Sequence, residues 1–229
     1  MSRYGLGFLA SADGAPVPGN DSFTKALLHM DGLNGGTSFP DVNIGGSANT
    51  WTPTNATTVV GTRKYGSASA QLAAGYISTP TKFGLGTSDF TIDCWFNRNG
   101  NTGQMALARN YLLSGTSGGW QFNINASNQI SGSDYAFNTT GVSVTHATSV
   151  TDSLWHHAAY IRHSGSAFVA LDGVLSSPVT DTQNVATSDQ STFIGWNFAP
   201  FTGFIDEFRI SIGIARWTAN FTPPTGPYS

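Results

Sequence analysis

The chain has 229 residues, a formal net charge of −3 and only 10% charged residues. Its ten Lys and Arg form no basic run, which excludes a phosphate-reading nucleic-acid surface, and no apolar stretch approaches the ~18 residues of a membrane span. Gly, Ser, Thr and Asn stand where a helical protein would carry Ala, Leu, Glu and Lys, so the composition points to short strands joined by polar turns.

Residues 1–24 hold Gly5, Gly7, Gly14, Pro16, Pro18 and Gly19 and show no period of 2 or 3.6. They read as an extended N-terminal arm, held by other chains and dispensable for folding, with the domain proper over 25–229. The opening residues lack an apolar core of signal-peptide length, so the expectation is synthesis in the cytoplasm without a secretion leader. Strand signals follow as KALLHMD (25–31), WTPTNATTVV (51–60), SASAQL (67–72) and GYISTP (75–80). The clearest is DFTIDCWFN (89–97). There Phe90, Ile92, Cys94 and Phe96 alternate with Thr91, Asp93, Trp95 and Asn97, the pattern of a half-buried strand with the first set inward. QMALAR and WQFNIN come next, split by a Gly- and Ser-rich turn.

LWHHAAYIRH (154–163) places Trp155, His157, Ala159 and Ile161 on one face. Trp155 is expected as a core anchor and His157 as a satisfied core histidine, while His156 points outward. Consecutive strand residues face opposite sides, so the two histidines do not ligate one metal. SAFVAL then runs into Asp172-Gly173, a hairpin turn signal. TFIGW precedes a last long strand, Phe201 to Ile212, and GIARWT reads as a 3₁₀ turn. Lone Cys94 falls in the inward phase and is read as a small buried hydrophobe. A dozen or so short strands in one domain imply two stacked antiparallel sheets.

ALLHMDG, DFTIDCWFN, LWHHAAYIRH with FVALDGV, and the closing GFIDEFRISIGIARWTANFTPPTGPY occur in that order. Over roughly Lys25 to Tyr228 the chain resembles the laminin-G-like, concanavalin-A-like lectin/glucanase domains common in bacteriophage structural proteins. The resemblance implies an all-β jelly-roll β-sandwich. It also implies a place on the virion, with residues 1–24 contacting other capsid or tail proteins and copies of the chain associating in the particle. Members of such a fold include lectins, adhesins, glycosidases and inert modules, so function rests on sites.

A glycosidase of this kind needs paired carboxylates. The chain has a single glutamate, Glu207, whose neighbour Asp206 points to the other face of an extended strand. Glu207 shares its face with Arg209, as an exposed ion pair worth little. Asp89 and Asp93 are about 13 Å apart along a strand, too far for retaining chemistry. The chain is therefore expected not to be an enzyme. Two readings remain: a virion structural or decoration protein, and a receptor-binding adhesin that docks host surface glycan. Trp51, Tyr111, Trp120, Tyr135 and Trp196 lie near polar loops, and Trp95 is out of phase with its apolar neighbours. Each is a candidate sugar platform, or else packs the core. Asp206 stands in the apparent inward phase Phe204, Asp206, Phe208, Ile210. A carboxylate there needs partners. The resemblance implies a structural calcium near Asp206, to which Asp31 at the end of the first strand contributes if first and last strands are neighbours; the alternative is hydrogen bonds from loop amides, a buried hydroxyl or His157 without a metal.

Overall fold

The computed structural model describes residues 19–110, 118–136, 141–185, 190–196 and 198–229. Residues 1–18 of the arm and Tyr111 lie outside them. Among the described residues the regular structure is all strand. In chain order these are β1 (Thr24–Leu28), β2 (Thr52–Val59), β3 (Ser69–Thr79), β4 (Phe90–Asn97), β5 (Met105–Arg109), β6 (Gly119–Ile124) and β7 (Gln129–Tyr135), then β8 (Val142–Ser149), β9 (His156–His163), β10 (Ser166–Leu171), β11 (Val174–Leu175), β12 (Val179–Thr180), β13 (Thr192–Gly195) and β14 (Phe201–Ile212). The two segments expected at 67–72 and 75–80 are one strand, β3, in which Ala74 takes a positive φ of 55°. Strands β7 and β8 have weak sequence signals and were not anticipated. The expected 3₁₀ turn over 213–218 is irregular chain with isolated bends.

All pairs are antiparallel and form one hydrogen-bonded sheet in the order β11-β10-β9-β4-β14-β3-β13-β5-β6-β7-β8. The two stacked antiparallel layers of the expected jelly roll are present, and shared strands join them into one hydrogen-bonded path. The two longest strands make the junction. One edge of β14 runs along β4, while its other edge is shared by β3 and β1. Strand β3 has β2 along one edge and β14 followed by β13 along the other. Strands that change partner partway, with register irregularities at Phe201/Thr202, let a sheet turn a corner. The sheet folds onto itself, so that β10 lies against β7 and β8 across the interior.

The interior takes Phe90, Ile92, Cys94 and Phe96 from β4, as their alternation predicts, with Trp120, Phe122 and Ile124 from β6 and Ile205, Phe208 and Ile210 from β14. The other face of β4 departs from expectation. Thr91, Asp93, Trp95 and Asn97 are buried too: residues 213–229 run back over Thr91 and Asp93, Lys64 and Tyr65 cover Trp95, and Asn97 bonds Ser153 O. Trp217 and Phe221 of that segment stack at 4.1 Å and meet the edge of His157. Ala159 and Ile161 join the same outer cluster. The phase read for β9 therefore holds, but its face lies under the C-terminal segment and not between the layers, and Trp155 is half-buried, no core anchor. Residues 19–24 belong to the fold: Arg209 Nη1 donates to Gly19 O (2.9 Å) and Asn20 N to Ser229 O (2.9 Å).

Candidate functional site

The last strand carries a bulge that reverses its phase. Asp206 pairs with Trp95, yet Arg209 pairs with Asp93, so three steps on β14 span two on β4. Glu207 absorbs the extra residue with φ 49°. Ile205 faces the interior before the bulge, and Phe208 and Ile210 after it. Asp206 and Arg209 both end on the outer side, beneath the covering segments. The exposed Glu207–Arg209 pair expected from sequence does not exist. Glu207 is fully buried and binds His29 Nδ1 (2.9 Å) and Tyr228 N (2.9 Å), and Arg209 pairs with Asp93.

Asp206 is buried and accepts from Lys64 N (2.8 Å), Tyr65 N (3.1 Å) and Glu207 N (2.9 Å). Burial pushes its carboxyl up to about 8, against the amides that favour the charged form. Asp31 accepts from a different set: Ser67 N, Ser67 Oγ (2.9 Å) and Ala68 N (3.1 Å). The donors facing both groups are N–H and O–H hydrogens, which repel a cation. Among the described residues no group of three or more His, Cys, Asp or Glu is placed to hold a metal. The geometry fits the hydrogen-bonded reading of Asp206, and Asp31 is engaged by donors of its own.

The candidate platform residues separate. Trp120 is fully buried in the interior, its indole N–H bonded to Phe83 O (2.9 Å). Trp51 is buried there too, stacked on Phe83 and edge-on to Phe208. Trp95 is enclosed on the opposite outer side by Tyr65, His157 and Lys64, whose Nζ lies 3.8 Å from its ring centroid. Among the described candidates, half-buried Tyr135 and buried Trp196 lie toward a common face.

That face is the outer side of β3, β13, β5, β6, β7 and β8. Direct cross-strand partners form an unbroken row: Ser78 with Phe193, Phe193 with Arg109, Arg109 with Gln121, Gln121 with Ser133, and Ser133 with Ser143. Five strand spacings make it roughly 24 Å long. The guanidinium of Arg109 lies 3.5 Å from the Trp196 ring centroid, and Phe198, 75% exposed, packs against Trp196 at 4.7 Å. Tyr76 meets Phe193 edge-on at 5.3 Å, and Gln121 Nε2 donates to Tyr135 Oη (3.0 Å). Arg109, Ser133 and Trp196 are buried in this row, Ser78, Tyr76, Phe193, Gln121 and Tyr135 are half-buried, and Ser143 and Phe198 are exposed, so the surface a ligand meets offers aromatic rings, one amide and hydroxyls, groups that bind a polyhydroxylated ligand. The row carries no carboxylate. Sequence reasoning missed Arg109, Phe193, Gln121, Tyr76 and Phe198. The first four come from four strands, β5, β13, β6 and β3, that only the pairing register joins, and Phe198 comes from the loop after β13.

Residues 71–213 match the family Laminin_G_3, described as the concanavalin A-like lectin/glucanases superfamily. No curated protein matches the sequence. Among solved structures, domain 4 of AbnA, a GH43 extracellular arabinanase from Geobacillus stearothermophilus in complex with arabinotriose, is similar over 88% of this chain and 96% of that one, at 16% identity and a TM-score of 0.64. The receptor-binding domain of botulinum neurotoxin type G is similar over 82% of this chain and 47% of that one, at 14% identity and a TM-score of 0.60. The binding domain of botulinum neurotoxin DC in complex with SialylT is similar over 82% and 48%, at 11% identity and a TM-score of 0.62. The chain spans about half the length of these toxin domains. At such identities the likeness is one of fold.

Proposed function

The chain belongs to the concanavalin A-like lectin/glucanases superfamily, and from that premise we propose that it is a non-enzymatic glycan-binding module whose ligand lies across the outer face of β3, β13, β5, β6, β7 and β8. The observation that carries this reading is the row from Ser78 to Ser143, with the Arg109–Trp196–Phe198 stack beside it. An extended polar row flanked by aromatic rings suits a chain of sugars better than a compact apolar ligand. Two of the similar structures carry a saccharide or toxin-receptor description in their own right, which supports the reading by analogy of fold alone. The absence of a carboxylate from the row, and the internal engagement of Glu207, support a binding role over hydrolysis.

The sequence resemblance supports a setting for this module on a bacteriophage particle, attached to capsid or tail proteins through the N-terminal segment and presenting the sandwich to the host surface. Of the two roles expected there, adhesin and decoration, the polar and aromatic face favours the adhesin. The test is a glycan array probed with the isolated chain and with Phe198→Ala and Trp196→Ala. Retention of a defined set of glycans by the wild type, weakened by both substitutions, supports the proposal. A wild type that retains no glycan, or variants that bind as the wild type does, would sink it.

A further inference from the structure

Asp134 lies on the inward side of β7, and Asp181 follows β12 at the edge of the facing layer. Both are buried. Arg162 of β9 stands between them, with Nη1 3.6 Å from Asp134 Oδ2 and 3.5 Å from Asp181 Oδ2. Its other donors are spent on carbonyls: Nε on Ser88 O (2.9 Å), Nη2 on Gly86 O (2.6 Å) and Ser88 O (2.8 Å), and Nη1 on Gln183 O (2.9 Å). Asp181 Oδ1 receives Gln183 N (3.0 Å). Among the described residues neither oxygen of Asp134 receives a hydrogen bond, and neither does the fully buried hydroxyl of Tyr160. Tyr160 packs against β7 at Gly132, where a Cβ would fall 2.3 Å from its ring.

Two carboxylates and one guanidinium leave one negative charge without compensation in the interior, a state buried carboxyl groups avoid by taking up a proton. The guanidinium within 3.6 Å of both carboxylates disfavours a metal cation in the same place. We propose that Asp134 and Asp181 form a proton-binding site, in which one proton held between the two carboxyl groups ties β7 to the facing layer, and that its release as pH rises loosens this edge of the sandwich. Burial first, and then the neighbouring Asp181, push the Asp134 carboxyl up to about 8, while Arg162 pulls it down. The titratable and charged groups facing the pair are Arg162 and Tyr160 of β9, with Tyr135 beside them on β7. Asp134 faces inward and Tyr135 outward on consecutive residues of β7, so release of the proton acts one residue from the glycan face. That consequence rests on the glycan reading; the proton site does not.

Denaturant unfolding of the full chain between pH 5 and 7 tests the site. The folded state keeps a proton that the unfolded chain releases above about pH 4, so this group lowers the folding constant about tenfold per pH unit up to about pH 8 and not beyond. Asp134→Asn puts an amide donor in place of the proton and removes that slope. The ratio of wild-type to variant folding constants is expected to fall about 100-fold between pH 5 and 7. Parallel pH profiles would overturn the proposal. Carbon-13 NMR of the wild-type aspartate carboxyls provides a readout that does not depend on a variant folding. A resonance of Asp134 titrating well above the usual carboxylate range is the expected result, and one titrating below pH 5 would overturn it. Stabilisation of the wild type alone by added calcium or sodium at pH 9 would assign the site to a cation instead. All of these readouts are independent of whether any glycan binds.

Discussion

Arg209 and Asp93 form a bidentate ion pair across β14 and β4, with Nε to Oδ1 at 3.0 Å and Nη2 to Oδ2 at 3.1 Å, and both side chains are wholly out of solvent. Burial alone would raise the Asp93 carboxyl, but Arg209 and then His157 hold it down at about 2. Removing one charge strands the other. Asp93→Asn is therefore expected to cost about 3–5 kcal/mol of unfolding free energy by chemical denaturation. Because this carboxyl is depressed, its stabilisation is present above about pH 4 and is lost as pH falls toward 2. A variant within 1 kcal/mol of the wild type at pH 7 would contradict this role.

The penultimate residue closes the same network. The Tyr228 hydroxyl donates to Asp93 Oδ2 and lies 3.2 Å from His157 Nε2, while its ring stacks on the Arg209 guanidinium at 3.9 Å. Tyr228→Phe keeps the stack and deletes the hydroxyl. The expected loss is about 1–3 kcal/mol, the range for leaving a buried partner unsatisfied. Thermal unfolding of the two proteins side by side measures it.

His156 is clamped between two carboxylates, Nδ1 to Asp172 Oδ2 at 2.6 Å and Nε2 to Asp152 Oδ1 at 2.9 Å. Both ring nitrogens donate only in the imidazolium form. Asp172, followed by Asp152 against an opposing burial effect, raises its pKa above 6.5. The contribution is complete below pH 6.5 and disappears as pH rises through the raised value. The carboxylates are nearly half exposed, so His156→Gln should cost only about 0.5 kcal/mol at pH 6 and nothing at pH 9. An equal cost at both pH values would reject the clamp.

Asp206 accepts three backbone N–H groups. At pH 9, above its raised value of about 8, Asp206→Asn is expected to destabilise the chain by about 1–3 kcal/mol, since an amide nitrogen turned toward those donors leaves them unpaired. EDTA should leave the wild-type melting temperature unchanged. A drop in EDTA matching that of the variant would restore the calcium reading.

How much was legible varies by residue. The inward set of β4 was, because eight residues of strict alternation fix a strand's faces. The turn at Asp172-Gly173 was too: both residues adopt positive φ, at 49° and 82°, as a tight hairpin demands. Asp206 was correctly placed as buried and hydrogen-bonded, but for the wrong face. Period-two reasoning assumes an unbroken strand, and the bulge at Glu207 carries no signal of its own in GFIDEFRI. Asp93 reads as outward and Trp95 as out of phase with the core, because a strand's second face looks polar whether water or another segment of chain covers it.

The sequence by itself determined the all-β class, the interior faces of the best-patterned strands and the family resemblance, because these follow from local alternation and from the order of short motifs. Tertiary structure decided the rest. It joined Ser78, Phe193, Arg109, Gln121, Ser133 and Ser143 into one row through register between strands remote in sequence. It also laid residues 213–229 over β4, so that an apparently exposed aspartate became half of a buried ion pair. Burial and pairing are properties of what lies opposite a residue, and local pattern constrains only which way that residue points.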